Sequence, residues 1–131
     1  MNQNKLQEIL TKIVWNDNVG GISDACLISF KKDGTGECDY RELGVEESDV
    51  FAFNYEIKEN KIKFFFPKQK IEYILNIKIV EQVQKNIYDE IIGTEYILIF
   101  DDHPYFLIKE MLEKKEVSIG GGKVEFYQWH W

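Results

Sequence analysis

Alternation of apolar and polar residues recurs along most of this chain, and it limits the possible folds more than any other feature. Phe51, Phe53, Tyr55 and Ile57 alternate with Ala52, Asn54, Glu56 and Lys58; after Glu59-Asn60, Ile62, Phe64 and Phe66 resume the pattern against Lys61 and Lys63, ending at Pro67. A period of two places every second side chain on one face of an extended strand. The two segments therefore read as a hairpin with one buried face.

The same period appears elsewhere. From Ile22 onward, Cys26, Ile28 and Phe30 alternate with Leu27, Ser29 and Lys31, Asp33-Gly34-Thr35-Gly36 turns the chain, and Cys38 and Tyr40 continue. An acidic connection through Glu46, Glu47 and Asp49 leads into the second hairpin. A longer pair follows, with Ile71, Tyr73, Leu75, Ile77 and Ile79 going up and Thr94, Tyr96, Leu98 and Phe100 coming back. Between them Gln82 to Glu90, around Lys85-Asn86, has no clear period and reads as a polar strand extension or a short helix. Asp101-Asp102-His103-Pro104 is a turn by composition. Tyr105 to Lys115 fits either a helix or a short strand entering one. Gly120-Gly121-Gly122 then breaks the chain before a terminal strand, Lys123 to Trp131, in which Val124, Phe126 and Gln128 alternate with Glu125, Tyr127, Trp129 and Trp131.

Only the start of the chain has a clear helical period. Leu6, Ile9, Leu10 and Ile13 share one face behind Asn2 or Asn4 as N-cap, which predicts a short amphipathic helix that caps or plugs the rest. The whole then reads as mainly β: one N-terminal helix and eight or nine strands joined mostly by short turns, hence antiparallel. So many strands in 131 residues are expected to curl into an up-and-down barrel of about eight strands, which also removes exposed edges. The length suits a single domain spanning residues 1–131.

Composition narrows the function. Sixteen basic against 23 acidic residues give a net charge of -7, which repels phosphate backbones and anionic headgroups, so neither nucleic acid nor membrane is an expected partner. No secretory leader is visible in Met1 to Lys12 and no apolar run reaches the length of a membrane span, so a cytoplasmic protein is expected. There Cys26 and Cys38 are expected as free thiols, the hairpin register pairing Cys26 with a position near Arg41 or beyond. His103 and His130 have no metal-ligand spacing with them, and no metal or cofactor is expected.

Val14-Trp15-Asn16 after an opening helix, the run Phe30-Lys31-Lys32-Asp33-Gly34-Thr35-Gly36, and Phe53-Asn54-Tyr55-Glu56-Ile57 through Ile62-Lys63-Phe64 together resemble small bacterial lipocalin-like proteins, over about the first half of the chain. The resemblance implies a calycin barrel with Trp15 as a packing residue at its closed end, not a ligand contact. Two departures stand out. There is no glycine two residues before Trp15, and the only arginine, Arg41, is not on the last strand.

Nothing in the pattern supports catalysis, and no enzymatic activity is expected. Asp101, Asp102 and His103 are the one cluster of carboxylates and imidazole, and their setting before Pro104 is that of a turn. His130, between Trp129 and Trp131, reads as an outward residue at a strand end. Gly120-Gly121-Gly122-Lys123 lacks phosphate-loop spacing. Ser23-Asp24 and Ser48-Asp49 have no partnering histidine.

Two binding functions remain. Aromatic residues make up 15% of the chain, and Phe30, Tyr40, Phe53, Tyr55, Phe64, Phe66, Tyr73 and Tyr96 fall on one face of alternating strands. A barrel of eight strands either fills with such side chains or encloses one small apolar ligand, which would need a cavity of at least about 300 Å³. The tyrosine hydroxyls in that face would then find partners in ligand or trapped water. Alternatively Glu42, Glu46, Glu47 and Asp49 form an acidic surface that docks a basic protein, as an immunity-type inhibitor of a nuclease toxin would. Trp129 and Trp131 also suit a contact between copies of the chain.

Overall fold

The computed structural model describes residues 2–18, 24–114 and 116–129. Helix α1 (Gln3–Lys12) opens the chain, followed by strands β1 (Trp15–Asn16), β2 (Ala25–Phe30), β3 (Thr35–Arg41), β4 (Asp49–Lys58), β5 (Lys61–Phe66), β6 (Ile71–Lys85) and β7 (Ile91–Phe100), helix α2 (Pro104–Glu113) and strand β8 (Val124–Gln128). Every strand pairs antiparallel with its sequence neighbour. The two-residue β1 also pairs with β8, Trp15 opposite Gln128, so one sheet of eight strands closes on itself in chain order. Closure leaves no edge along most of the sheet.

Alternation works as the sequence indicated. Cys26, Ile28 and Phe30, then Phe51, Phe53 and Tyr55, then Ile62, Phe64 and Phe66, then Tyr73, Leu75, Ile77 and Ile79 are buried inside the ring, joined by Leu98, Phe100 and Phe126. Burying each such side chain contributes on the order of 1.5–3 kcal/mol. Gly36 lies opposite Phe30 and Phe53 in this wall. A Cβ there would sit 2.4 Å from the Ser29 carbonyl oxygen and 2.6 Å from the Phe53 ring, so only glycine lets that ring lie flat against the backbone.

Both ends of the ring are covered. At the end carrying the β2–β3 and β4–β5 turns, α1 buries Leu6, Ile9 and Leu10. Its N-cap Asn2 accepts from the Lys5 N–H at 2.8 Å, the Gln3 side chain donates to the Ile57 carbonyl, and the Trp15 indole donates to the Leu10 carbonyl at 3.2 Å. Trp15 is fully buried there. At the opposite end α2 buries Tyr105, Leu107 and Ile108.

The structure settles three open points. Residues 105–113 are helix and not strand: the chain leaves the acidic turn straight into α2, with His103 as N-cap and Pro104 in the first turn. Residues 82–85 extend β6 and 91–93 begin β7, with a turn between them in which Asn86 Oδ1 accepts from the N–H groups of Tyr88 and Glu90. Strand β2 begins at Ala25, and Cys26 faces Tyr40, next to Arg41 and not Cys38, because Lys31 donates to Thr35 and Gly34 to Lys31 and thereby set the turn. Cys38 faces Ile28. Both cysteines are free and buried, and the Cys38 side chain together with burial pushes the Cys26 thiol up.

Candidate functional site

The eight aromatic residues expected to enclose a ligand occupy two settings. Phe30, Phe53, Tyr55, Phe64, Phe66 and Tyr73 are buried in the ring, and Tyr40 and Tyr96 are part-buried beside them. The buried six spend their faces on one another. Phe30 meets Phe53 and Tyr55 edge-on at centroid separations of 5.5 and 5.2 Å, Phe53 meets Phe64 at 5.0 Å, and Phe64 meets Phe100 at 5.9 Å. Edge-to-face contacts at these spacings add to what burial contributes.

The tyrosine hydroxyls find partners within the chain. Tyr55 donates to the Lys31 carbonyl at 2.5 Å and Tyr73 to the Pro104 carbonyl at 2.7 Å, and burial raises the pKa of both. These bonds hold the aromatic face to a turn at one end and to α2 at the other. The protein thus supplies what a ligand or water was expected to supply.

Beneath α2 lies a second cluster that alternation did not foreshadow. Tyr40 stacks on Tyr105 at 4.4 Å and donates to Asp24, and Tyr105 donates to Asp49 at 2.7 Å. Burial first, and then the Asp49 carboxylate, push the Tyr105 hydroxyl far above the ordinary tyrosine range. Beside it His103 accepts the Phe106 N–H at Nδ1, which leaves Nε2 to donate to Asp17 at 2.8 Å. Asp17 also accepts the Cys26 N–H. Both ring nitrogens are engaged by the protein, so this imidazole caps a helix and ties it to the loop after β1. Asp101 accepts from the Asn76 backbone and side chain, and Asp102 accepts from the His103 and Gly120 N–H groups. Among the described residues no three His, Cys, Asp or Glu side chains are grouped to hold a metal ion, and no helix is long and apolar enough to cross a membrane.

The acidic residues divide. Glu42, Glu46 and Glu47 stand exposed on the β3–β4 loop with Leu43 and Val45. Asp24 shapes this loop, accepting the Leu43 N–H and the Tyr40 hydroxyl, and Gly44 takes a positive φ of 83° within it. Asp49 is half-buried and turned to Tyr105 and Lys109, so it braces α2 and does not face outward with the other three.

Two of the hollows among the described residues open to solvent. One of about 720 Å³ is lined by Leu6, Asn60, Ile77, Lys78, Ile79, Ile99 and Phe100 and extends to Asp101 and the 120–123 segment. The other, about 500 Å³, is lined by Tyr55, Asn54, Phe65 and the Lys63–Glu72 ion pair. Of the eight expected ligand residues, Tyr55 alone lines either. His130 and Trp131 lie outside the described residues, as does Ser23. No family model matches this chain, and no curated protein or solved structure matches it.

Proposed function

We propose that this chain is a non-enzymatic, cytoplasmic binding protein that docks a basic protein through its acidic β3–β4 loop, with the ring of strands as a lipocalin-like barrel serving as scaffold. The observation that supports this reading is the packing of the aromatic interior against itself beneath a helix at each end. Side chains committed to one another leave the outer surface for recognition. There Glu42, Glu46 and Glu47, on a loop pinned by Asp24, present negative charge beside apolar Leu43 and Val45. An apolar centre with an acidic rim suits a cationic partner such as a nuclease, whose encounter it would accelerate.

The test is native mass spectrometry of the protein isolated from its host, beside a variant carrying Glu42→Lys, Glu46→Lys and Glu47→Lys. A stoichiometric basic protein held by the native chain, released by salt and absent from the variant, is the expected result. An equal yield of partner from both proteins would overturn the loop's role. A second reading, a small apolar ligand, draws support from the 720 Å³ hollow, which is large enough for one. A co-purifying molecule of a few hundred daltons without a protein partner would favour it.

A further inference from the structure

Strand β6 is the longest in the molecule, and its neighbours cover only part of it. Pairing with β5 ends at Lys61 opposite Asn76, where the Ile77 N–H still reaches the Asn60 carbonyl. Strand β8 pairs with β7 from Ile97 to Phe100. Residues 81–95 therefore stand beyond the ring as a two-stranded ribbon, and among the described residues no strand pairs with the outer edge of β6 from 78 to 85. On this ribbon Val83 is 48% exposed, Ile87 91%, Tyr88 76%, Ile91 69% and Ile92 66%. Grouped apolar exposure beside an unpaired edge marks an association surface.

The charges on that edge say what it fits. Because the Ile77 N–H points to the β5 side, the backbone groups of Ile79, Glu81, Val83 and Lys85 point the same way. Glu81 and Lys85 share one face and flank Val83 symmetrically. Antiparallel pairing of two copies about a two-fold axis at Val83 sets Val83 against Val83, and each Glu81 against the other copy's Lys85. It also brings Ile87 towards Ile79, one of the residues lining the larger hollow. Other registers are worse. An axis at Glu81 opposes two glutamates, one at Lys85 opposes two lysines, and axes at Gln82 or Gln84 set charges against apolar side chains. Lys85 already meets Asp89 at 3.3 Å, an exposed pair that a cross-strand partner replaces at little cost.

We propose that the chain forms a homodimer by pairing the free edges of two β6 strands about Val83. The proposal is independent of the basic partner above, since the β3–β4 loop lies at the other end of the ring. The test is molar mass by light scattering on four proteins: native, Glu81→Lys, Lys85→Glu and the double exchange. All the changed side chains are exposed on the ribbon, so folding is spared.

The native chain and the double exchange are expected to give twice the monomer mass. Each single variant places like charges opposite at both symmetric positions and is expected to dissociate on the order of tenfold more readily. Val83→Cys should join two copies by a disulfide under mild oxidation, the expected Cα separation of about 5.5 Å suiting one. Three results would overturn the proposal: a native chain that stays monomeric, leaving the edge to a foreign strand; single variants as dimeric as the native chain; or a double exchange that fails to recover.

Discussion

The α2 end of the ring and the β6–β7 ribbon use similar side chains to opposite effect. At the α2 end Tyr40 stacks on Tyr105, Phe51 packs against Tyr105 at a tilt, and every tyrosine hydroxyl described there meets a carboxylate or carbonyl. On the ribbon Ile87, Tyr88, Ile91 and Ile92 face water. The difference is one of enclosure: a closed sheet gives an inward side chain partners from several strands, whereas a two-stranded ribbon has no inside. Apolar residues therefore contribute to folding in the first region and remain available for association in the second.

The largest expected departure comes from opening the enclosed region. Phe64 is fully buried among Phe30, Phe53, Phe66, Tyr73 and Phe100, and Phe64→Ala should lose about 3–5 kcal/mol in urea unfolding, with near-ultraviolet circular dichroism reporting the loosened rings.

A smaller effect is expected in alkali. Tyr73 and Tyr105 have raised folded-state pKa values, so the folded chain keeps protons that the unfolded chain gives up. The stabilisation is whole below about pH 10, the ordinary tyrosine value, and is lost as pH rises from there through the raised folded values. Tyr105→Phe should cost about 1 kcal/mol at pH 7 through the bond to Asp49 and flatten the fall above pH 10, read from denaturation midpoints across pH.

The smallest effect belongs to the ribbon. Ile87→Ser should shift monomer stability by no more than about 0.5 kcal/mol, because 91% of that side chain is already in water. A large loss would show that the ribbon is enclosed after all.

The same contrast governs what could be read from residues in advance. Strands β2 to β5 were legible because each has one buried and one wet face, so Phe51, Phe53 and Tyr55 alternate with Ala52 and Asn54. Gln82 to Glu90 showed no period because neither face of the ribbon is buried, and a strand without an inside imposes no alternation. Phe106, Leu107 and Ile108 suit either element; what decides for helix is the His103 side chain accepting the Phe106 N–H. The Asp17–His103 bond joins residues 86 apart, and no local spacing announces it. The aromatic face was visible as a face, but whether its rings would meet each other or a ligand depended on the diameter of the closed sheet. Asp49 read as one acid among four because its partners, Tyr105 and Lys109, come from the far side of the sequence.

The two-residue strand β1 has a consequence for the order of folding. Hairpins β2–β3 and β4–β5 close over short turns and can form as soon as their residues are made. The seam of the ring joins Trp15 to Gln128, residues 113 apart in sequence, and so waits until residue 128 has left the ribosome. Until then the outer edge of β1 lies open, and aggregation competes with closure during that interval. A seam of two residues adds few hydrogen bonds, which makes β1 the place where the ring should first part under load.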